Sequence, residues 1–137
     1  MNATPTMLIT RTGAAVGLTV SGYIHAELYV RGYRAIPNIG PMFLLQGAAS
    51  FAVALLLLIG GPPVMLRLGA AALAAGALGG FVLSRTIGVL GFTERGLQPA
   101  PQSLISVLAE AATLILLAAP LLTHHVRRTQ PAGAGLR

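Results

Sequence analysis

Four apolar stretches of about twenty residues each, set apart by proline and glycine, leave this chain few folds to choose from. They cover residues 13–30, 41–59 ("PMFLLQGAASFAVALLLLI"), 68–90 and 104–122 ("LISVLAEAATLILLAAPLL"). A helix rises about 1.5 Å per residue, so ~20 residues cross a ~30 Å hydrocarbon core, and each stretch is close to that length. Leu and Ala mix without the two-residue alternation of a membrane barrel strand, and each stretch is too long to be one. The breaks "IPNIGP", "GGPP" and "ERGLQPAPQ" separate the stretches. Pro41 suits a helix start because the amide hydrogen it lacks would be unpaired there, and Pro62 and Pro63 prevent a continuous rod. The pattern predicts an all-α, integral membrane four-helix bundle with up-down-up-down topology. Residues 1–130 form its single transmembrane domain, and 131–137 ("PAGAGLR") a short disordered tail.

Composition excludes the main alternatives. Hydrophobic residues make up 55% of the chain and charged residues 9%, whereas a soluble domain carries about a quarter charged residues to cover its surface. There is no cysteine, which removes a disulfide scaffold and thiolate metal sites. The net charge of +6 comes from nine arginines scattered singly or in pairs between apolar runs, so no continuous basic face for nucleic acid exists. The partner these arginines suit is the lipid bilayer. The first stretch is long, carries His25 and Glu27 near its end and is followed by further spans. It reads as a retained helix, not a cleaved signal peptide.

With four spans, Arg11, Arg67, Arg127, Arg128 and Arg137 share the side of the termini, and Arg31, Arg34, Arg85 and Arg95 the other. Five against four, with His124 and His125 added to the first set, favours cytoplasmic termini in the cytoplasmic (inner) membrane. Within the third stretch, "GAAALAAGALGGF" sets Gly69, Ala72, Gly76 and Gly80 on one face, which predicts a central packing helix. Pro120, in the last turns of the fourth helix, predicts a bend there.

The segment "GYIHAELYVRGYR" places ionisable groups where an apolar helix would carry none. Residues 25 and 27 stand about 200° apart around a helix, so they face opposite ways. Glu27 precedes Arg31 by four residues and forms with it an expected structural ion pair at the interface. His25, Arg85 and Glu110 fall at similar depths, on the side opposite the termini. Glu110 shares its helix face with Ser103, Ser106 and Thr113. Arg85 is the expected partner of Glu110, with His25 or Tyr29 as a further hydrogen-bond partner and Gln46 and Ser50 extending the polar lining. The candidate intramembrane polar site is therefore His25, Tyr29, Gln46, Arg85 and Glu110. Two readings of this layer stand open: a buried pair that fixes helix arrangement, or a pocket for a proton, cation, quinone head or lipid headgroup.

Specific chemistry finds little support. His124 and His125 lie at the face opposite His25, which opposes bis-histidine haem ligation, and His25 with one carboxylate falls short of a zinc site. No Walker sequence, dinucleotide-binding glycine pattern or "HExxH" occurs. No catalytic residue, metal or cofactor is predicted, and a non-enzymatic role is preferred. The longest connection, residues 91–103, is expected to cap the His25 layer or touch a partner. By analogy of size, the chain fits an accessory, assembly or structural subunit of a larger membrane complex or homo-oligomer. The alternative is a small transporter or ligand-binding membrane protein that uses the His/Arg/Glu pocket.

Overall fold

The computed structural model describes residues 5–61 and 63–129, with side chains for 5, 7–61 and 63–120. Pro62, the side chains of His124 and His125, and the tail expected at 131–137 lie outside the described residues. Four helices follow one another: α1 (Pro5–Arg31), α2 (Ile39–Ile59), α3 (Pro63–Arg85) and α4 (Gln102–Thr129), with a single 3₁₀ turn at Tyr33–Ala35. Short connections make α1, α2 and α3 antiparallel in turn, and the end of α3 meets the start of α4 where Arg85 reaches Ser103, so the architecture is an up-down-up-down, all-α bundle. Pro120 lies inside α4, which continues past it.

The bundle is apolar on the outside and polar within. Leu45, Leu58, Ile59, Met65, Leu68 and Ile115 are exposed, while Thr10, Ser21, Ser50, Ser106, Glu110 and Thr113 are buried. Water would penalise that surface, and a lipid bilayer solvates it. Helices α2, α3 and residues 102–120 of α4 are each long and apolar enough to cross a membrane. α1 is more polar than this, yet at 27 residues it is about 40 Å long and runs the depth of the bundle between α2 and α4. The protein is thus a small multi-pass integral membrane protein.

α1, not α3, is the central packing element. It packs extensively on α2 and α4 and barely touches α3. A Cβ built on Gly22 of α1 would stand 3.2 Å from the Gly47 carbonyl oxygen of α2, and one on Gly47 would stand 3.2 Å from the Gly22 carbonyl oxygen. A Cβ on Gly17 would lie 3.0 Å from the Ala109 carbonyl oxygen of α4. Backbones this close gain dispersion contact across the interface, which is what holds helices together in lipid. By contrast a Cβ on Gly76, Gly79 or Gly80 of α3 would meet nothing within 4 Å. Gly76 and Gly80 leave space where close packing was expected of them.

The half of the bundle near the termini is filled. Ala14, Ala15, Leu18, Ala54, Leu57, Leu66 and Ala70 form its buried apolar cluster. Arg11 caps α2 from outside, donating from Nε to the Leu57 carbonyl at 3.0 Å, and Gly60 adopts the left-handed conformation (φ 97°) that ends the helix. The other half opens into a cavity.

Candidate functional site

Helix α3 ends at Arg85, five residues earlier than the apolar run to Leu90 suggests. The Gly88 amide folds back onto the Leu83 carbonyl at 2.8 Å, and Leu90 and Gly91, both at positive φ, form a two-residue reversal bonded between Val89 and Phe92. The Glu94 amide then donates to the Ser84 carbonyl at 2.9 Å. These bonds lay the 86–101 connection over the bundle on the side away from the termini.

Beneath it lies a cavity of about 140 Å³. Its walls include His25 of α1, Gln46 of α2, Gly76 and Gly80 of α3, and Ser106 and Glu110 of α4. At about 1.5 Å per residue, His25, Gln46 and Glu110 stand roughly 9 to 12 Å in from the near ends of their helices. The open backbone of Gly76 and Gly80 is what leaves the volume free.

Glu110 is 2% exposed. Its Oε1 accepts two hydroxyl hydrogen bonds, from Ser21 Oγ at 2.8 Å and Ser106 Oγ at 2.6 Å. Both serines are small hydroxyl residues aligned with it, one across the α1–α4 contact and one a helical turn before it. Its Oε2 accepts none among the described residues.

His25 connects to the same group. Its Nδ1 lies 2.9 Å from the Ser21 carbonyl oxygen, which can only accept, so Nδ1 carries a proton and Nε2 of the neutral ring holds the lone pair. Nδ1 is also 3.4 Å from Ser21 Oγ, so the imidazole, the hydroxyl and the carboxyl form one chain. The ring packs on Phe43, centroids 5.0 Å apart. Gln46 donates from Nε2 to the Leu73 carbonyl at 3.1 Å, which leaves Oε1 as its acceptor.

Arg85 lines the cavity but does not pair with Glu110, contrary to expectation. Its ion pair is with Glu94, Nη2 to Oε2 at 3.0 Å, and both side chains are mostly buried. The physical reason is its place at the last position of α3: there the connection's carbonyls are nearer than the core carboxyl, and they need donors. Nε donates to the Gly96 carbonyl at 2.9 Å, Nη1 to Ser84 Oγ, and Nη2 to the Gln98 carbonyl and, at 3.3 Å, to Ser103 Oγ. The guanidinium carbon lies 3.8 Å from the Phe81 ring centroid. All three nitrogens are thus occupied by the connection and its neighbours.

Glu94, which sequence reasoning did not single out, is the hub of the roof. Tyr33 donates its hydroxyl to Glu94 Oε1 and stacks on Phe43 at 4.6 Å, with Phe92 edge-on at 5.8 Å. Burial together with the Glu94 carboxylate raises the Tyr33 phenol well above its ordinary value, because both disfavour a phenolate. A signal existed: Glu94 is one of three acidic residues, and it lies nine positions after an arginine at a helix end.

Tyr29 is not among the residues that line the cavity. Glu27 and Arg31 also stand outside it, with Arg31 Nη2 at 2.7 Å from Glu27 Oε1 and the arginine 64% exposed. Among the described residues no three His, Cys, Asp or Glu side chains converge. The chain matches no protein-family model, no curated protein and no solved structure. Fold and composition define the class, a small multi-pass membrane helical bundle without an evident catalytic motif.

Proposed function

We propose that this bundle is a solute-binding membrane protein whose site is the cavity of His25, Gln46 and Glu110, with Arg85 and Glu94 holding its roof. One observation carries the reading. A carboxyl group 2% exposed keeps an oxygen without a partner on the wall of a cavity about 140 Å³ in volume. A buried ionisable group left half-satisfied costs stability, and proteins keep such groups where a ligand completes them. The site belongs to the side opposite the termini, and the arginine excess on the side of the termini supports an orientation in the cytoplasmic membrane with both termini cytoplasmic.

The test is thermal unfolding of the full chain in lipid nanodiscs against small amines, alcohols, carboxylates and quinones, with Gly80→Leu as the filled-cavity control. A Cβ at Gly80 meets nothing within 4 Å, so this variant should fold. A ligand at 100 times its Kd stabilises by about 2.7 kcal/mol, enough to see. Stabilisation of the natural chain but not of Gly80→Leu supports the reading, and no response from any class refutes it.

A second reading, an accessory or assembly subunit of a larger membrane complex, is favoured by the surface of the connection. Ile87 is 84% and Leu90 68% exposed, at the level where the connection leaves the helices. Purification from native membranes in mild detergent, followed by intact mass measurement, tests it: a stoichiometric larger partner supports it, and a lone monomer or homodimer opposes it.

A further inference from the structure

The binding reading leaves the ligand's chemistry open, and the inventory of free atoms narrows it. The polar atoms of the cavity left without a hydrogen bond are chiefly acceptors: Glu110 Oε2 once its carboxyl is ionised, Gln46 Oε1 and, in the neutral ring, His25 Nε2, with one Gln46 amide hydrogen as a neutral donor. Its one fixed cation is spent, since every nitrogen of Arg85 already faces an acceptor. A phosphate, sulfate or carboxylate would find no free cationic donor to replace its water. A metal ion would find fewer than three His, Cys, Asp or Glu ligands among the described residues. Aromatic rings complete the wall, with Phe43, Phe81 and Phe92 all lining it. Such faces attract organic cations.

Resting on the binding reading, we propose that the cavity takes a small organic ammonium ion and exchanges it for a proton on Glu110. The ammonium N–H groups would complete Oε2 and the neighbouring acceptors, while the apolar part of the ligand lies among the phenylalanines. The volume is about that of an engineered cavity that admits benzene, so a single ring or a short alkyl chain fits.

Charge balance requires the exchange. The charged and titratable groups around Glu110 are His25 on α1, Arg85 at the end of α3, and Glu94 in the connection, with Tyr33 behind Glu94; α2 contributes only the neutral Gln46. Arg85 and Glu94 neutralise one another. An ammonium ion entering beside a protonated Glu110 would add an uncompensated charge inside the bilayer. If the carboxyl releases its proton as the ammonium arrives, R–NH₃⁺ and Glu–COOH become the pair Glu–COO⁻···H₃N⁺–R and one H⁺ leaves. No net charge is added.

Isothermal titration of the full chain in nanodiscs tests this with three probes of one shape: benzylammonium, benzyl alcohol and benzoate. Benzylammonium should bind, release about one proton per molecule, and lose affinity about tenfold for each pH unit lowered while Glu110 is protonated. Glu110→Gln keeps an acceptor for both serines and should fold, yet lose ammonium binding more than about tenfold, as expected when a charged partner is removed. Gly80→Leu should abolish binding by filling the cavity. Binding of benzyl alcohol or benzoate, blocked by Gly80→Leu, with no benzylammonium binding would overturn the ammonium assignment and leave the binding reading standing. Benzylammonium binding without proton release would overturn the exchange. No binding by any probe, and no effect of Gly80→Leu, would overturn both.

Discussion

The crossing of Gly22 and Gly47 gives the most discriminating test of the fold. Placing leucine at Gly47 sets its Cβ 3.2 Å from the Gly22 carbonyl oxygen and 3.5 Å from the Ala26 amide nitrogen. Both neighbours are backbone, so neither rotates away. Alanine alone forces α1 and α2 apart by a few tenths of an ångström, and that loss is offset by the roughly 0.5 to 1 kcal/mol that alanine gains over glycine inside a helix. Gly47→Ala should therefore lie within about 1 kcal/mol of the natural chain. Leucine adds three more carbons to a seam without room. Overpacking costs typically 1 to 3 kcal/mol, and the upper end applies because the widest helix contact of the bundle must open. Gly79→Leu is the control: its Cβ meets nothing within 4 Å, so the change should cost no more than about 0.5 kcal/mol. Reversible unfolding in mixed detergent micelles measures both. If Gly79→Leu proves the more damaging, α3 is the packing helix after all and the central place of α1 is wrong.

Other consequences follow from the roof and the ends. Glu94→Gln removes one partner of a mostly buried ion pair and should weaken the 86–101 connection by about 2 kcal/mol, less than the roughly 3 to 5 of a fully buried pair; hydrogen exchange at the Glu94 amide should quicken while the helices stay protected. Because the Tyr33 phenol is raised in the folded state, its contribution is fully present below the ordinary tyrosine value of 10.0 and is lost at higher pH, as the phenolate forms; ultraviolet difference titration against Tyr33→Phe should show the roof loosening only on that alkaline side. Arg11→Gln should cost about 1 kcal/mol by freeing the Leu57 carbonyl at the end of α2, read in the same unfolding assay. The chain has no cysteine, so Leu97→Cys, half exposed in the connection, should react with a membrane-impermeant maleimide added outside intact cells if the termini are cytoplasmic.

The number and type of helices were legible because crossing a bilayer demands length and apolarity, and both are local properties of the chain. Helix ends were less so. The apolar run from Leu68 to Leu90 hides the stop at Arg85, since Ile87, Val89 and Leu90 are as apolar as the helix before them while their backbone turns away through Gly88 and Gly91. That shift of five residues also explains the missed pairing. Arg85 stands at the helix terminus, where it meets Glu94 and the bare carbonyls of the connection.

Small residues misled for a related reason. Glycine at spacings of three and four permits close approach without requiring it, and α3 uses the permission to enclose volume. What distinguishes α1 is its polarity combined with smallness: Ala14, Gly17, Leu18, Ser21 and Gly22 share a face on which every side chain is small or apolar and the one hydroxyl has a partner across the seam. A helix too polar to face lipid all round must turn that face inward. The lower apolarity of α1, set beside three strongly apolar spans, therefore marks it as the helix that packs between α2 and α4. The carboxyl of Glu110 is met at that depth by two hydroxyls, Ser21 of α1 and Ser106 of its own helix, and by no arginine.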